Sequence, residues 1–326
     1  MNEIIIIGAG PAGISMAVEA VNAGISKDKI LILEKAAEHS FTIKKYYPDN
    51  KLVTANYKGF AAACTGVMCL SDSSKQETIS YLDKAIEQNG FKVRYSETVN
   101  KIHQEKNEQK FVIYTDKNIY ESKVVVISVG ILGKPNKPDY KLPATLNENI
   151  LFDVTSKEIK NSKVLVVGGG DSASEYCQYL CQQMNNVTLS YRKLQFGRMN
   201  EINLESLTTL SVQNKINLKL NSIITSIEEE NGKPKVNFAE SESEFFDYII
   251  YALGGTTPEN FLKLIGIEFD GTNPILKEGY ETTIPGLFLT GDLSAGKRGG
   301  SIIWAFNSAR TAMKKIYENY LGSEEK

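Results

Sequence analysis

Two glycine-rich loops in this 326-residue chain have the spacing needed to cradle a pyrophosphate. The first, Gly8-Ala-Gly10-Pro11-Ala12-Gly13, opens off the apolar run Glu3–Ile7, and the second, Gly168-Gly-Gly170-Asp171-Ser172-Ala173, opens off Lys163–Val167. In such a loop the first glycine permits a tight turn and the second lets backbone approach the phosphates. The third small residue lets the following helix pack on the strand. The anion then lies on free backbone N–H groups at the positive end of the helix dipole. Two such loops in one chain imply two dinucleotides held at once, and so electrons passed between them.

The residues that follow each loop divide the two nucleotides. Glu34 lies 21 residues past Gly13, at the end of the next strand. An acid there accepts from ribose hydroxyls and repels a 2′-phosphate, which leaves FAD or NAD for the first loop. At the corresponding place after the second loop stand Tyr191, Arg192 and Lys193, with Arg198 close behind. A guanidinium forks onto phosphate oxygens and a lysine adds point charge, so the second loop is expected to take NADPH. The tail supplies Gly291-Asp292 and then Gly299-Gly300-Ser301 opening a helix. This tail resembles the pattern by which many flavoproteins hold the rest of FAD, which implies FAD in the first loop, with Asp292 accepting from a ribitol hydroxyl or meeting the phosphate region. The helix starting at Ser301 would direct its positive end at the flavin edge that becomes negative on reduction.

Nothing else in the chain offers acid–base or metal chemistry. The histidines are His39 and His103, and neither belongs to a Cys/His cluster. Hydride transfer between bound cofactors needs proximity and orientation rather than a general base, so their scarcity fits.

These loops need strands and helices to hold them, and the apolar pattern provides them. Ile4–Ile7, Ile30–Leu33, Val124–Ser128, Val164–Val167, Val187–Tyr191 and Tyr248–Ala252 read as buried strands. Ala12–Ala23, Glu77–Asn89 and Ser172–Met184 read as amphipathic helices. Continuous apolar strands alternating with helices mark parallel sheets covered on both faces, an α/β chain of two Rossmann-like domains. The turn-rich Gly133–Pro138 and Gly254–Pro258 read as linkers. They suggest a first domain of residues 1–131, an inserted NADPH domain of 132–252, and a return to the FAD domain over 253–326. A formal net charge of -2 argues against nucleic acid as the main partner. The apolar runs are too short to span a bilayer, and the first strand begins at Glu3 with no room for a targeting segment, so a cytoplasmic location is expected.

The fingerprints, the insertion and the Gly-Asp tail resemble the thioredoxin-reductase-like flavoproteins over essentially the whole chain. That family carries a redox Cys-x-x-Cys just upstream of the second fingerprint, where this chain has Asn149-Ile-Leu-Phe152-Asp-Val-Thr155 and no cysteine. Thioredoxin reduction by the family's mechanism is therefore not expected. One branch without the dithiol reduces low-molecular-weight disulfides, and some of its members place a cysteine in the first glycine loop, where this chain has Ala12. The other branch is the ferredoxin/flavodoxin–NADP reductases, including a flavodoxin:quinone reductase group. The Tyr191-Arg192-Lys193 stretch with Arg198, the Gly254 segment and Gly300-Ser301 are similar to that group.

This resemblance implies flavodoxin or ferredoxin as acceptor, with quinones as a further acceptor, and a homodimer. It implies that Tyr47 stacks on the flavin, and that Pro11, Ala12, Lys35, Val99, Gly130 and Ile302 join the FAD contacts. For NADPH it adds Asp171, Ser172, Ala173, Glu175 and Gly254. The rival readings are a reductase of a small disulfide or thioredoxin-like partner, and a redox sensor that holds both cofactors without catalysis.

Four cysteines remain. Cys64 and Cys69 have the spacing of a redox pair but lie 30 residues past Glu34, and they are expected to be buried thiols. Cys177 and Cys181 are expected to pack on one helix face. Lys44, Lys45, Lys51 and Lys58, with Lys297 and Arg298, would form a positive rim able to steer an acidic carrier. Trp304, the only tryptophan, is expected in a core or dimer contact.

Overall fold

The computed structural model describes residues 1–55, 63–105, 110–131, 135–197, 199–254, 258–296 and 300–322, and of Asn260 the backbone alone. Among the residues singled out above, Lys58, Gly133, Arg198, Lys297, Arg298 and Gly299 lie outside the described ones. The chain divides into two compact units. One holds Met1–Lys44, Leu52–Gly133 and Thr257–Lys326; the other holds Lys45–Lys51 and Lys134–Thr256.

The first unit is built on a seven-stranded sheet. Its order runs Lys92–Arg94, Ile30–Leu33, Asn2–Ile7, Ile119–Ile127, Lys110–Thr115 and Val99–Glu105, and Leu287–Leu289 also pairs with Ile119–Ile127. The long strand Ile119–Ile127 serves two partners on one edge. Its first half pairs antiparallel (Phe111 opposite Ser122), and its second half pairs parallel (Phe288 opposite Val126). The parallel strands are apolar at nearly every position because both faces are covered. Ile5, Ile7, Leu31, Leu33, Val125, Ile127, Leu287 and Leu289 form the core on one of those faces.

The second unit repeats the plan with a five-stranded parallel sheet. Its order is Ile216–Leu220, Asn186–Tyr191, Lys163–Val167, Tyr248–Tyr251 and Ile150–Leu151. A separate three-stranded antiparallel sheet, Ile224–Glu230, Lys233–Phe238 and Glu244–Phe245, turns at Asn231-Gly232. Both turn residues have positive φ (55° and 74°), as the tight hairpin turn requires. The apolar pattern of the sequence marks only Val236–Phe238 of this sheet, although Asn231-Gly232 is a hairpin signal even between charged strand ends. That pattern also passes over the helix Glu201–Val212, whose start is marked by Asn200 accepting the Asn203 N–H.

The predicted helices form with small shifts at their ends: Pro11–Asn22, Lys75–Asn89 and Asp171–Gln182. The tail helix runs Ile302–Ile316 and ends in a wider turn, Tyr317–Leu321. Among the described residues no helix is long and apolar enough to cross a membrane, and no acid, cysteine or histidine cluster could hold a metal ion.

Candidate functional site

In the first unit, the glycine loop is shaped by backbone contacts that only glycine allows. Gly8 has φ +106°, and a Cβ on it would lie 2.6 Å from the Ser128 carbonyl oxygen. A Cβ on Gly13 would lie 1.9 Å from the Gly8 carbonyl oxygen, because the helix is pressed onto the turn. At Gly10, by contrast, a Cβ would meet nothing within 4 Å, so the backbone there faces open space. Pro11 opens the helix Pro11–Asn22, which has no side-chain cap and no acid in its first turn. The helices Lys75–Asn89, Glu201–Val212 and Ile302–Ile316 are instead capped by Ser74, Asn200 and Ser301. A glycine-loop helix left without a cap keeps its orphan N–H groups for an external anion. The loop therefore fits a pyrophosphate.

Glu34 stands at this loop. Its two carboxylate oxygens accept the N–H groups of Ala9 and Ala36, each at 2.8 Å. These bonds fix the carboxylate while leaving lone pairs for further donors. Gly130, with φ +66°, lies just past the neighbouring strand and faces open space. Lys35 is exposed, while Val99 is buried in the apolar core.

Asp292 lies on the turn Gly291–Ser294, in contact with Gly300: a Cβ on Gly300 would fall 1.5 Å from the Asp292 Oδ1. Gly291 is held from the tail helix by the Ser308 hydroxyl, which accepts its N–H at 2.8 Å, and packs on Ala12. Ser301 caps that helix by accepting the Trp304 N–H, and Ile302 is buried at its first position. Trp304 donates its indole N–H to Ser294 and meets the Tyr280 ring edge-on, a contact within this unit.

Burial raises the Asp292 carboxyl from 3.8 to about 6. A raised acid favours the folded state fully below the unfolded value, and the advantage fades as pH climbs through the folded value. Ionisation of Asp292 thus costs the flavin-free fold at most about 3 kcal/mol above pH 6, less to the extent that its carboxylate reaches water. We expect Asp292→Asn to raise the melting temperature of flavin-stripped protein more at pH 7 than at pH 4. A difference that does not change with pH would contradict this.

The second unit reproduces the loop geometry. Gly168 has φ +157°, and a Cβ would lie 2.4 Å from the Ala252 carbonyl oxygen, while Gly170 faces open space. The helix Asp171–Gln182 again has no side-chain cap. Ala173 is buried and Ser172 exposed in its first turn. Tyr191 packs its ring over Gly169, where a Cβ would meet it at 2.1 Å, and stacks on Phe196 at 5.2 Å between centroids. Arg192 and Lys193 follow directly, both exposed, at the end of the strand beside the one that feeds the loop. Asp171 and Glu175, expected at the NADPH site, also make contacts within the unit. Asp171 accepts the N–H of Asn200 and the side-chain amide of Asn203, which pins the helix Glu201–Val212 to the loop. Glu175 pairs with Lys51 at 2.5 Å. Gly254, at φ +76°, accepts the Asn136 N–H at 2.9 Å. Asn136, which the sequence reading passed over, also donates its side-chain amide to Leu253.

The segment Lys45–Lys51 packs within this second unit. The Lys51 ammonium sits 4.3 Å from the centre of the Tyr47 ring and on the Glu175 carboxylate. Burial opposes its charge, but Tyr47 and Glu175 outweigh that and raise its pKa. The structure thus brings Tyr47 together with Lys51 and Glu175. Lys51 is not a free member of a positive rim, and Lys44 pairs with Glu38 at 3.0 Å in the first unit.

The cysteine expectation needs a correction. Cys64 and Cys69 are not buried thiols but a disulfide, with Cα atoms 5.5 Å apart, Cys64 half-buried and Cys69 exposed. Spacing alone could not show it, since the loop between them is positioned by residues far away in sequence. Cys177 and Cys181 are thiols, the first in the core. Burial pushes Cys177 well above the ordinary thiol range and Cys181 to about 11. Neither has the thiolate character of a nucleophile. The stretch Asn149–Thr155 holds a short strand, Ile150–Leu151, followed by Phe152 stacked on Tyr251 and by Asp153 accepting the N–H groups of Thr155 and Ser156.

Residues 5–291 match the family model described as pyridine nucleotide-disulphide oxidoreductase. A ferredoxin–NADP reductase of Lactococcus lactis subsp. lactis is 30% identical over 90% of this chain and 86% of its own length. Among solved structures, the bacillithiol disulfide reductase Bdr of Staphylococcus aureus superposes with a TM-score of 0.82 at 25% identity, covering 97% of this chain and 98% of that one. The thioredoxin reductase of Lactococcus lactis gives 0.79 at 21% identity over 98% of each chain, which shows the shared two-domain fold.

Proposed function

Because the chain belongs to the pyridine nucleotide-disulphide oxidoreductase family, we propose that it passes electrons from NADPH through FAD to an acidic protein carrier, flavodoxin or ferredoxin. FAD and NADPH are the cofactors of this family, and the chain is an FAD- and NADPH-dependent oxidoreductase. Bound FAD supplies hydride acceptance from NADPH and electron donation to the acceptor. The chain's own residues bind and orient. Gly8, whose own N–H is donated to the Leu33 carbonyl, and Gly13 shape the turn. The open backbone at Gly10 and the uncapped start of the helix Pro11–Asn22 receive the FAD pyrophosphate, Glu34 takes the ribose hydroxyls, and Asp292 with the helix from Ser301 holds the flavin end. In the second unit Gly168 and Ala173 shape the turn and the helix packing, the open backbone at Gly170 receives the NADPH pyrophosphate, and Arg192 and Lys193 take its 2′-phosphate.

The observation that carries the acceptor assignment is the cysteine chemistry of the second unit. No cysteine precedes the second glycine loop there, and its two thiols are held protonated on a helix. A disulfide relay through that unit has no residues to run on. The kinship with the Lactococcus ferredoxin–NADP reductase supports the same reading. The likeness to the Bdr structure favours a second one, reduction of a small disulfide. Steady-state NADPH consumption with flavodoxin, ferredoxin, thioredoxin and a low-molecular-weight disulfide supplied in turn separates them. Turnover with the disulfide and none with either carrier would overturn the first reading.

A further inference from the structure

The disulfide Cys64–Cys69 has no part in the electron path above, yet its surroundings define a site. It closes a short loop of the first unit, with only five residues of separation. Cross-links across so short a span constrain the unfolded chain less than long-range ones do, so this one is a weaker staple than a long-range bridge would be. The loop is also fixed without it. The Asn307 side chain accepts from the Thr65 N–H at 2.9 Å and donates to the Ala63 carbonyl at 2.9 Å. The Glu19 carboxylate accepts the Val67 N–H at 2.6 Å and is itself paired with Arg310 at 3.2 Å. The Tyr81 hydroxyl accepts the Cys69 N–H at 3.1 Å. Three helices thus hold the backbone on both sides of the sulfurs whether or not they are bonded. The two thiols of a reduced pair would stay close enough to join again.

We propose that Cys64–Cys69 is a reversible thiol–disulfide exchange site that takes dithiols as its reductants. Cys69 is the exposed member and Cys64 the half-buried one, so the entering thiolate attacks the Cys69 sulfur. The Cys64–Cys69 bond breaks, Cys64 leaves as a thiolate and takes a proton, and Cys69 is joined to the reductant. The second thiol of the reductant then attacks its own bonded sulfur. Cys69 is released and protonated, and the reductant departs as a disulfide. Two electrons and two protons pass to the protein, and an oxidised dithiol reverses the sequence.

The test uses the flavin-loaded protein prepared without reductant, quenched in acid, unfolded and alkylated with iodoacetamide. Cys177 and Cys181 should be labelled while Cys64 and Cys69 are protected. After incubation of the native protein with dithiothreitol, both Cys64 and Cys69 should take label, and oxidised dithiothreitol should restore protection. In Cys64→Ser the remaining Cys69 should form a mixed disulfide with glutathione disulfide roughly tenfold faster than Cys64 does in Cys69→Ser, following exposure. Free Cys64 and Cys69 thiols before any reductant would overturn the proposal. So would a pair that dithiothreitol opens only after unfolding, and the reverse order of reactivity would overturn Cys69 as the entry sulfur.

Discussion

Replacing Gly13 by alanine should give a protein that purifies without flavin and melts well below the wild type. The added Cβ would sit 1.9 Å from the Gly8 carbonyl oxygen and 3.1 Å from its carbon. Neither is the end of a flexible side chain. Gly8 has no freedom to yield, since its φ of +106° and its approach to the Ser128 carbonyl already fix it. Overpacking of this kind costs about 1–3 kcal/mol, and more where backbone must move. Gly10→Ala is the matched control. Its Cβ meets no protein atom within 4 Å and its φ of -84° suits alanine. The flavin-free fold should therefore keep its stability within about 0.5 kcal/mol. Flavin retention should still fall, because the methyl would occupy the approach of the pyrophosphate. Flavin content by absorbance and melting temperature, read on both variants, separate damage to the fold from damage to the cradle. A Gly13→Ala protein with full flavin and unchanged melting would show that the loop does not hold FAD.

Arg192→Ala should raise the KM for NADPH by roughly 10- to 100-fold, the worth of a charge-assisted hydrogen-bonded pair. The KM for NADH should change little, since NADH has no 2′-phosphate for the guanidinium to grip. Arg192 is exposed at the end of the strand Asn186–Tyr191 and supports no part of the core, so a general loss of folding would not explain the selectivity. Lys193→Ala should act in the same direction and more weakly, because an ammonium offers point charge without the planar fork. Equal loss for both nucleotides in Arg192→Ala would remove the 2′-phosphate assignment.

How far the sequence alone reached can be judged at particular residues. The glycine loops were legible because a tight turn and a close helix each exclude a side chain at fixed positions. Gly8, Gly13 and Gly168 show those exclusions as backbone contacts. The placement of Glu34 beside its loop followed from strand length. Asn231-Gly232 and Asn200 carried readable signals for a hairpin and a helix start that went unused. Other features depend on partners far apart in sequence. Cys64 and Cys69 are set by Asn307, Glu19 and Tyr81. Lys51 finds Glu175 across 124 residues, which turns a presumed surface charge into a half-buried ion pair with an aromatic ring beneath it. Glu19 left one hint, an acid in the apolar run Ile14–Ala20 of a buried helix face, and such an acid needs a partner.

The direct outward transfer of electrons from the flavin is tested most sharply by rapid mixing. Holoprotein reduced anaerobically with one equivalent of NADPH is mixed with oxidised flavodoxin, ferredoxin, thioredoxin or a small disulfide, and reoxidation of the enzyme is followed together with reduction of the partner. Flavodoxin or ferredoxin should be reduced within the turnover time, while thioredoxin and the disulfide leave the enzyme reduced. Reoxidation by thioredoxin or by the disulfide, with both carriers inert, would contradict the assignment.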